Sequence, residues 1–386
     1  MAKLTINYSN GALAGTATNT DHISSLVIAQ SGITTANISG ITSYDGFKMI
    51  QLTSLSQAEA AGVTATLYPV IQYQVANFFE MKPDGLLYLA ILDNPTGSTY
   101  TELPVIQKAT EGTIKQFGIF DTRTLSTTVL ANINTQLTAC KTAKMPAVAI
   151  VGMNSNTLSP TGYTDLSSAA YSNVAVMLGQ DGDSTLYTSL GISIPEVGAV
   201  LGAVASAPVQ ESAAYFRNYT YDNITTNPAL GNSVLIKNLA DSYLETNVYN
   251  KNYMAFQKVV GSASVYLCHT NTATSVTDDY RSIQLNRVIN KAARGINLYL
   301  SQELNAPIEL KSNGFIAEAR CFELEDIAAT GLKAMKAAGE LSDFKVYINP
   351  DQSILTTSNL QVVAKIVPYA TANEITVTLG FAASLA

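Results

Sequence analysis

Leu86-Leu87-Tyr88-Leu89-Ala90-Ile91-Leu92 is a continuous apolar run that follows the turn signal Pro83-Asp84-Gly85. A run without polar alternation fits a strand covered on both faces, as strands of parallel sheets are. The pattern repeats outward from it. Upstream, residues 68–81 place Tyr73, Ala76 and Phe79 at helical spacing, residues 55–61 read as a helix, and residues 22–30 as a strand. Residues 40–52 read as a turn-bearing link. Downstream come a helix over 103–117, a short strand over 117–120, a helix over 129–141, and apolar strands over 147–152 and 174–179. A helix over 195–207, opened by Pro195, carries the small residues Gly198, Ala199, Gly202, Ala203 and Ala205 and is suited to close packing. Strand–helix alternation with apolar strands predicts an α/β fold with doubly wound-like layers.

Beyond residue 278 the pattern changes. Thr277 or Asp278 is the expected cap of a long amphipathic helix in which Leu285, Val288, Ile289, Ala292, Ile296, Tyr299 and Leu300 share a face. Arg281, Gln284, Arg287, Asn290 and Lys291 occupy much of the remaining surface, and with Arg294 the cations form a basic face. Gly295 costs about 1 kcal/mol against alanine inside a helix, so it is expected to mark a close contact. Pro307 ends this region, Gly314 opens a second helix over 316–338, and Gly339 closes it. Three strands follow. Phe344, Val346 and Ile348 alternate; residues 360–367 come next, closed by Pro368; residues 374–381 put Ile375, Val377 and Leu379 on one face. At the other end Leu4, Ile6 and Tyr8 alternate within residues 3–9, ahead of a loose stretch over 10–21. A strand on a flexible tether gains little alone. It must pair either with the chain's own sheet or with a neighbour's.

Composition narrows the function classes. The chain has 386 residues, enough for a full core. Only 13% are charged, and the net charge is −7 with no basic run, which gives nucleic-acid binding no support. Cys140, Cys268 and Cys321 are an odd, widely spaced set and do not read as a disulfide framework. The first residues are a polar alternation rather than a secretory signal, and no apolar stretch is long enough to span a bilayer. No membrane insertion is expected.

The candidate chemistry is sparse. No phosphate-binding glycine motif is present. Gly179-Gln180-Asp181-Gly182-Asp183 follows a strand, but its acids would repel phosphate and its spacing does not match a calcium loop, so it reads as a solvated turn. Cys268-His269 is an adjacent pair, too small a set for zinc in a chain with two histidines. Neighbouring side chains on a strand also point to opposite faces. Glu323, Glu325 and Asp326 read as a solvated or partner-facing helix surface. No catalytic residue, metal ligand or cofactor is expected.

The run Glu303-Leu304-Asn305-Ala306-Pro307-Ile308 with Gly314-Phe315-Ile316 resembles the C-terminal domain of contractile tail sheath proteins. So do Gly331-Leu332-Lys333-Ala334-Met335, Val346-Tyr347-Ile348-Asn349-Pro350, and the ending from Val363 to Tyr369 with the last alternating strand. The resemblance implies a virion tail or contractile injection particle assembled in the bacterial cytoplasm. It implies a structural, metastable subunit, not an enzyme, that polymerises helically around a rigid inner tube and contracts to drive the tube through a target envelope. Its implied partners are other copies of itself, the inner tail tube protein, and baseplate and tail terminator proteins. The terminal strands would be exchanged between neighbours, making Leu4, Ile6, Tyr8, Ile375, Val377 and Leu379 polymer-interface residues. Arg281, Arg287, Lys291 and Arg294 would touch a neighbour or the tube. The expected division is an N-terminal arm over 1–20, an α/β region over 21–240 with room for an inserted outer subdomain, a C-terminal sheath core over 241–373, and a C-terminal arm over 374–386. A cytosolic α/β enzyme with an unrecognised site is the alternative, supported only by the strand–helix alternation.

Overall fold

The computed structural model describes residues 20–373 and 375–377. Leu4, Ile6 and Tyr8 of the first expected strand, and Glu374 and Leu379 of the last, lie outside the described residues. The chain opens with β1 (Ser24–Ala29), β2 (Thr42–Ser43), β3 (Phe47–Leu52), α1 (Leu55–Ala60), α2 (Pro69–Met81) and β4 (Leu87–Leu92). It continues through α3 (Glu102–Ala109), β5 (Gln116–Thr124), α4 (Thr127–Thr142), β6 (Val148–Asn154) and β7 (Val174–Met177). Next come β8 (Gln180–Asp181), α5 (Thr185–Leu190), α6 (Val197–Ser206) and β9 (Pro228–Ala229). Then follow α7 (Asp241–Leu244), β10 (Tyr253–Met254), β11 (Phe256–Lys258) and β12 (Val265–Leu267). The last part holds α8 (Ile283–Leu300), α9 (Glu318–Ala337), β13 (Asp343–Tyr347), α10 (Ile354–Thr357) and β14 (Val363–Val367).

The fold is mixed α/β around a sheet of order β10-β7-β6-β5-β1-β4-β3-β2. Pairing is parallel from β10 through β4 and turns antiparallel at β3 and β2. The central strands read as unbroken apolar runs because both their faces are covered: every residue of β1 and β7 is buried. Helix α6 lies over β1, β5 and β6, and two glycines in the sheet make room for it. A Cβ on Gly118 would come within 2.8 Å of Leu201, and one on Gly152 within 2.5 Å of Val197. Helix α2 packs in turn on α6, where Gly198 and Gly202 let the backbones meet; a Cβ on Gly198 would fall 2.0 Å from the Gln74 carbonyl oxygen. The small residues of α6 thus serve close packing on both sides.

Three local expectations are corrected. The link over 40–52 is the hairpin β2–β3, whose half-buried alternation marks it as the antiparallel margin of the sheet. The helix expected over 103–117 stops at Ala109, because Glu111 and Gly112 both take positive φ, and the freed chain becomes the central strand β5. The stretch Gly179 to Asp183 is a solvated turn only at Gly182 and Asp183. Gln180 is buried and its Oε1 accepts from Ile194 N–H, while β8 pairs with β9 and Asp181 accepts from Thr225 Oγ1.

The principal core runs on past residue 240, through Tyr253, Phe256 and Leu267 to Ile283. Beyond it the helix pair α8–α9 and the hairpin β13–β14 build separate small cores. One joins Val209, Val288, Ala292, Leu332, Met335 and Leu341; the other joins Ile316, Cys321, Leu324 and Ile348. Gly295 marks a close contact as its position suggests: it faces Gly331 of α9, where a Cβ would sit 3.0 Å from the Gly295 Cα. Helix α9 ends where expected, with Gly339 at φ 72° just past its C-cap. Helix α8 starts later than expected, after Ser282. Asp278 instead accepts from Tyr280 N–H and Thr274 Oγ1, and these bonds hold the preceding chain in a turn.

Candidate functional site

Strands β13 and β14 pair only with each other among the described residues, in the register Asp343↔Val367, Lys345↔Lys365 and Tyr347↔Val363. Phe344, Val346 and Ile366 turn inward onto the α8–α9 core. Tyr347, Val363 and Val367 stand on the other face and are about half exposed. A two-stranded hairpin leaves backbone N–H and C=O groups unpaired along its edges, and these can template a further strand.

Beside β14 runs a groove of about 640 Å³. Leu285, Val288 and Ile289 of α8 line one side, Ala364, Lys365 and Ile366 of β14 the other, and Asp278 to Ser282 form part of its rim. Leu285 and Ile289 belong to the stripe that sequence periodicity assigns to a buried core. In the folded chain they are only partly covered and face this groove. Ile375 and Val377 follow β14, are 80% and 77% exposed, and take no strand conformation.

The face of α8 turned to the α/β body is polar. Gln284, Asn286, Arg287 and Asn290 are buried there. Each of the first three finds a partner distant in sequence: Gln284 Oε1 accepts from Thr270 Oγ1, Asn286 Nδ2 donates to the Ser172 carbonyl, and Arg287 donates to the carbonyls of Ala207 and Pro208. Lys291 bridges Asp21 at 2.6 Å and Glu340 at 2.5 Å, while Arg294 approaches Asp21 at 3.5 Å and donates to the Pro146 carbonyl. Burial lowers Arg287 to about 10, and it lowers Lys115 of the same neighbourhood, with help from Arg294, to about 8. The expectation of an outward basic stripe is therefore corrected. Arg287 is buried, Lys291 and Arg294 are spent mainly on contacts within the chain, and only Arg281 is exposed, at the groove's rim. Sequence reasoning missed this joint because its partners, backbone carbonyls, the Thr270 hydroxyl, Asp21 and Glu340, are brought to it only by the fold.

The sequence's other chemical candidates do not converge. Asn271 N–H donates to His269 Nδ1, so Nε2 carries the ring proton and donates to the Tyr249 carbonyl. Burial holds the imidazole down at about 4 and pushes the Cys268 thiol up to about 12. Cys268 accepts from Ala255 N–H, away from the histidine's partners. Glu323 pairs with Arg320, Glu325 accepts from Ile348 N–H, and Asp326 pairs with Lys333. Among the described residues no three His, Cys, Asp or Glu are placed to hold a metal ion, and no helix is long and apolar enough to cross a membrane.

The profile of the family described as DUF2586, C-terminal domain, matches residues 279–386. No curated protein matches the chain in sequence. Solved structures match nearly its whole length, three of them as follows. A chain of the helical sheath of the anti-feeding prophage in its contracted state is 12% identical, with 99% of each chain covered and a TM-score of 0.65. A chain of the anti-feeding prophage baseplate is also 12% identical, with 93% of each covered and a TM-score of 0.61. A chain of the sheath complex of an extracellular contractile injection system, PVC, in its contracted state is 15% identical, with 98% of this chain and 97% of that one covered and a TM-score of 0.60. The resemblance read from the C-terminal motifs thus holds for the fold of the whole chain, which is shared with chains of contractile sheath and baseplate assemblies.

Proposed function

We propose that this chain is the structural subunit of a contractile sheath, polymerising helically around a rigid inner tube and contracting to drive that tube through a target envelope. The observation that carries the reading is the β13–β14 hairpin, which pairs with no third strand among the described residues, beside a groove of mixed polarity that Leu285, Val288 and Ile289 help line, set in a fold that matches a sheath chain over 99% of both lengths. The hairpin edge and the groove suit an extended segment from a neighbouring copy, joined by backbone hydrogen bonds with alternate side chains packed on Leu285 and Ile289. Leu4, Ile6, Tyr8, Ile375, Val377 and Leu379 would supply the apolar sides of such segments. Residues 1–20 and 374–386 act as arms, the body carries helices on both faces of its sheet in a doubly wound-like arrangement, and the C-terminal module forms the sheath core. Arg281 is the cation of the original set best placed to touch a neighbour. The work of the subunit is mechanical rather than enzymatic. Its partners are further copies, the inner tube protein, and baseplate and terminator proteins, assembled in the bacterial cytoplasm into a phage tail or an injection particle. A heterologous contact that does not close gives an open helical filament, as a sheath requires.

Negative-stain microscopy of the purified chain tests this. The full chain is expected to form striated hollow sleeves. Variants lacking residues 3–9 or 374–386 are expected to stay as dispersed folded particles. Tubes of normal appearance from either deletion would refute strand exchange, and dispersed full-length protein under all assembly conditions would refute the sheath reading.

A further inference from the structure

Two pairs of like charges on the surface stand without countercharges. Lys345 and Lys365 lie directly opposite each other on β13 and β14, and both are exposed. Like charges so placed destabilise a strand pair. Asp241 opens α7, and Glu245 begins the π-helical turn Glu245–Tyr249 that continues it. The two acids are exposed and one helical turn apart, a spacing at which like charges also repel. None of the four takes part in an ion pair among the described residues. Several other charges on the C-terminal module are matched: Lys311 with Glu318, Lys333 with Asp326, Lys336 with Asp343, and Arg320 with Glu303 and Glu323. The two unmatched pairs carry opposite signs.

Their dimensions also agree. Directly opposed residues on adjacent strands hold their Cβ atoms about 5 Å apart, and residues four apart on a helix about 5–6 Å. Two carboxylates on one turn can therefore each meet one ammonium of the hairpin. Tyr347 and Val363, a half-exposed cross-strand pair, border the lysines and supply apolar area around the charges. We propose that Lys345 and Lys365 of one copy receive Asp241 and Glu245 of the next, a head-to-tail contact between copies of this chain. It rests on the homopolymer reading and adds to it a contact on the sheet face, separate from the strand edge. Each pair carries a local repulsion in the free chain that is relieved on assembly, so the contact favours polymer over monomer and resists the wrong register.

Charge reversal tests it, using the full chain. Sedimentation over a concentration series is measured for wild type, K345E/K365E, D241K/E245K and the four-fold combination, with thermal melting as the check on folding. Each double variant is expected to melt as wild type does and to need at least about tenfold more protein to polymerise. The combination is expected to recover assembly to within about threefold of wild type. If a reversal misfolds, the neutral variants K345Q/K365Q and D241N/E245Q replace it, with a smaller shift in the same direction. Double variants that assemble as wild type does, or a combination no better than either parent, would overturn the contact while leaving the sheath reading standing. Wild type that never sediments would overturn both.

Discussion

Glu196 offers the sharpest physical test of the body. It caps the start of α6, is fully buried, and has no cation beside it among its described hydrogen-bond partners. Tyr73 Oη donates to its Oε1 at 2.5 Å and Asn77 Nδ2 to its Oε2 at 2.7 Å, while Gln74 ties the same turn to α2 through the Pro195 carbonyl and Gly198 N–H. Burial raises the carboxyl to about 8; the two donors offset part of that rise, and Asp181 adds to it. In the unfolded chain the group titrates at 4.5. Between these values the folded chain holds a proton that the unfolded chain has lost. Stability must therefore fall as pH rises, by about 1.4 kcal/mol per unit for this one group. Below 4.5 the contribution is flat, and it is lost in full above about 8. Across the window the loss is on the order of 5 kcal/mol. Glu196→Gln keeps the shape and removes the titration. Urea unfolding from pH 5 to 9 would be followed for both proteins, and the difference between them isolates this residue from all other titrating groups. Wild type should lose stability relative to the variant steadily toward pH 8. A difference that stays constant across the range would refute the argument that Glu196 is buried without charge compensation.

Other outcomes follow from the packing. Gly198→Ala puts a Cβ 2.0 Å from the Gln74 carbonyl oxygen and should cost about 3 kcal/mol or more by forcing α2 off α6, measurable by chemical denaturation. Gly191→Ala, where nothing lies within 4 Å and only φ of 65° opposes the side chain, should cost about 1 kcal/mol. Asp21→Asn removes the carboxylate that pairs with Lys291 and Arg294 and whose charge favours buried Arg287, so hydrogen exchange should rise in α8, with a loss of about 3 kcal/mol. Cys140 and Cys268 are each pushed by burial up to about 12 and Cys321 is raised, so a thiol reagent at pH 8 should label all three only after unfolding.

Several elements were legible because local chemistry and final environment agree. The run at 86–92 becomes β4, covered on almost every side chain, and the helix opened by Pro69 spans the expected stretch. Gly295 and the small residues of α6 announced close contacts without saying with what. The α8 surface was misread for a definite reason. Periodicity sorts residues into apolar and polar, and it assumes that the polar ones face water. Here the burial of Gln284, Asn286 and Arg287 is made tolerable by Thr270, Ser172 and Ala207, which are brought near only by the fold.

The amino-acid order by itself determined the α/β class, the helix pair and hairpin that end the described chain, and the lack of a recognisable phosphate or metal motif. These rest on contacts between near neighbours, on spacing and on residue type, all of which are written along the chain. Tertiary structure alone decided which face of α8 is buried, that Leu285 and Ile289 line a groove beside the β13–β14 hairpin, and that Lys345 stands against Lys365. Those features depend on where distant segments come to lie, and long-range register is set by the packing of the whole chain rather than by any window within it.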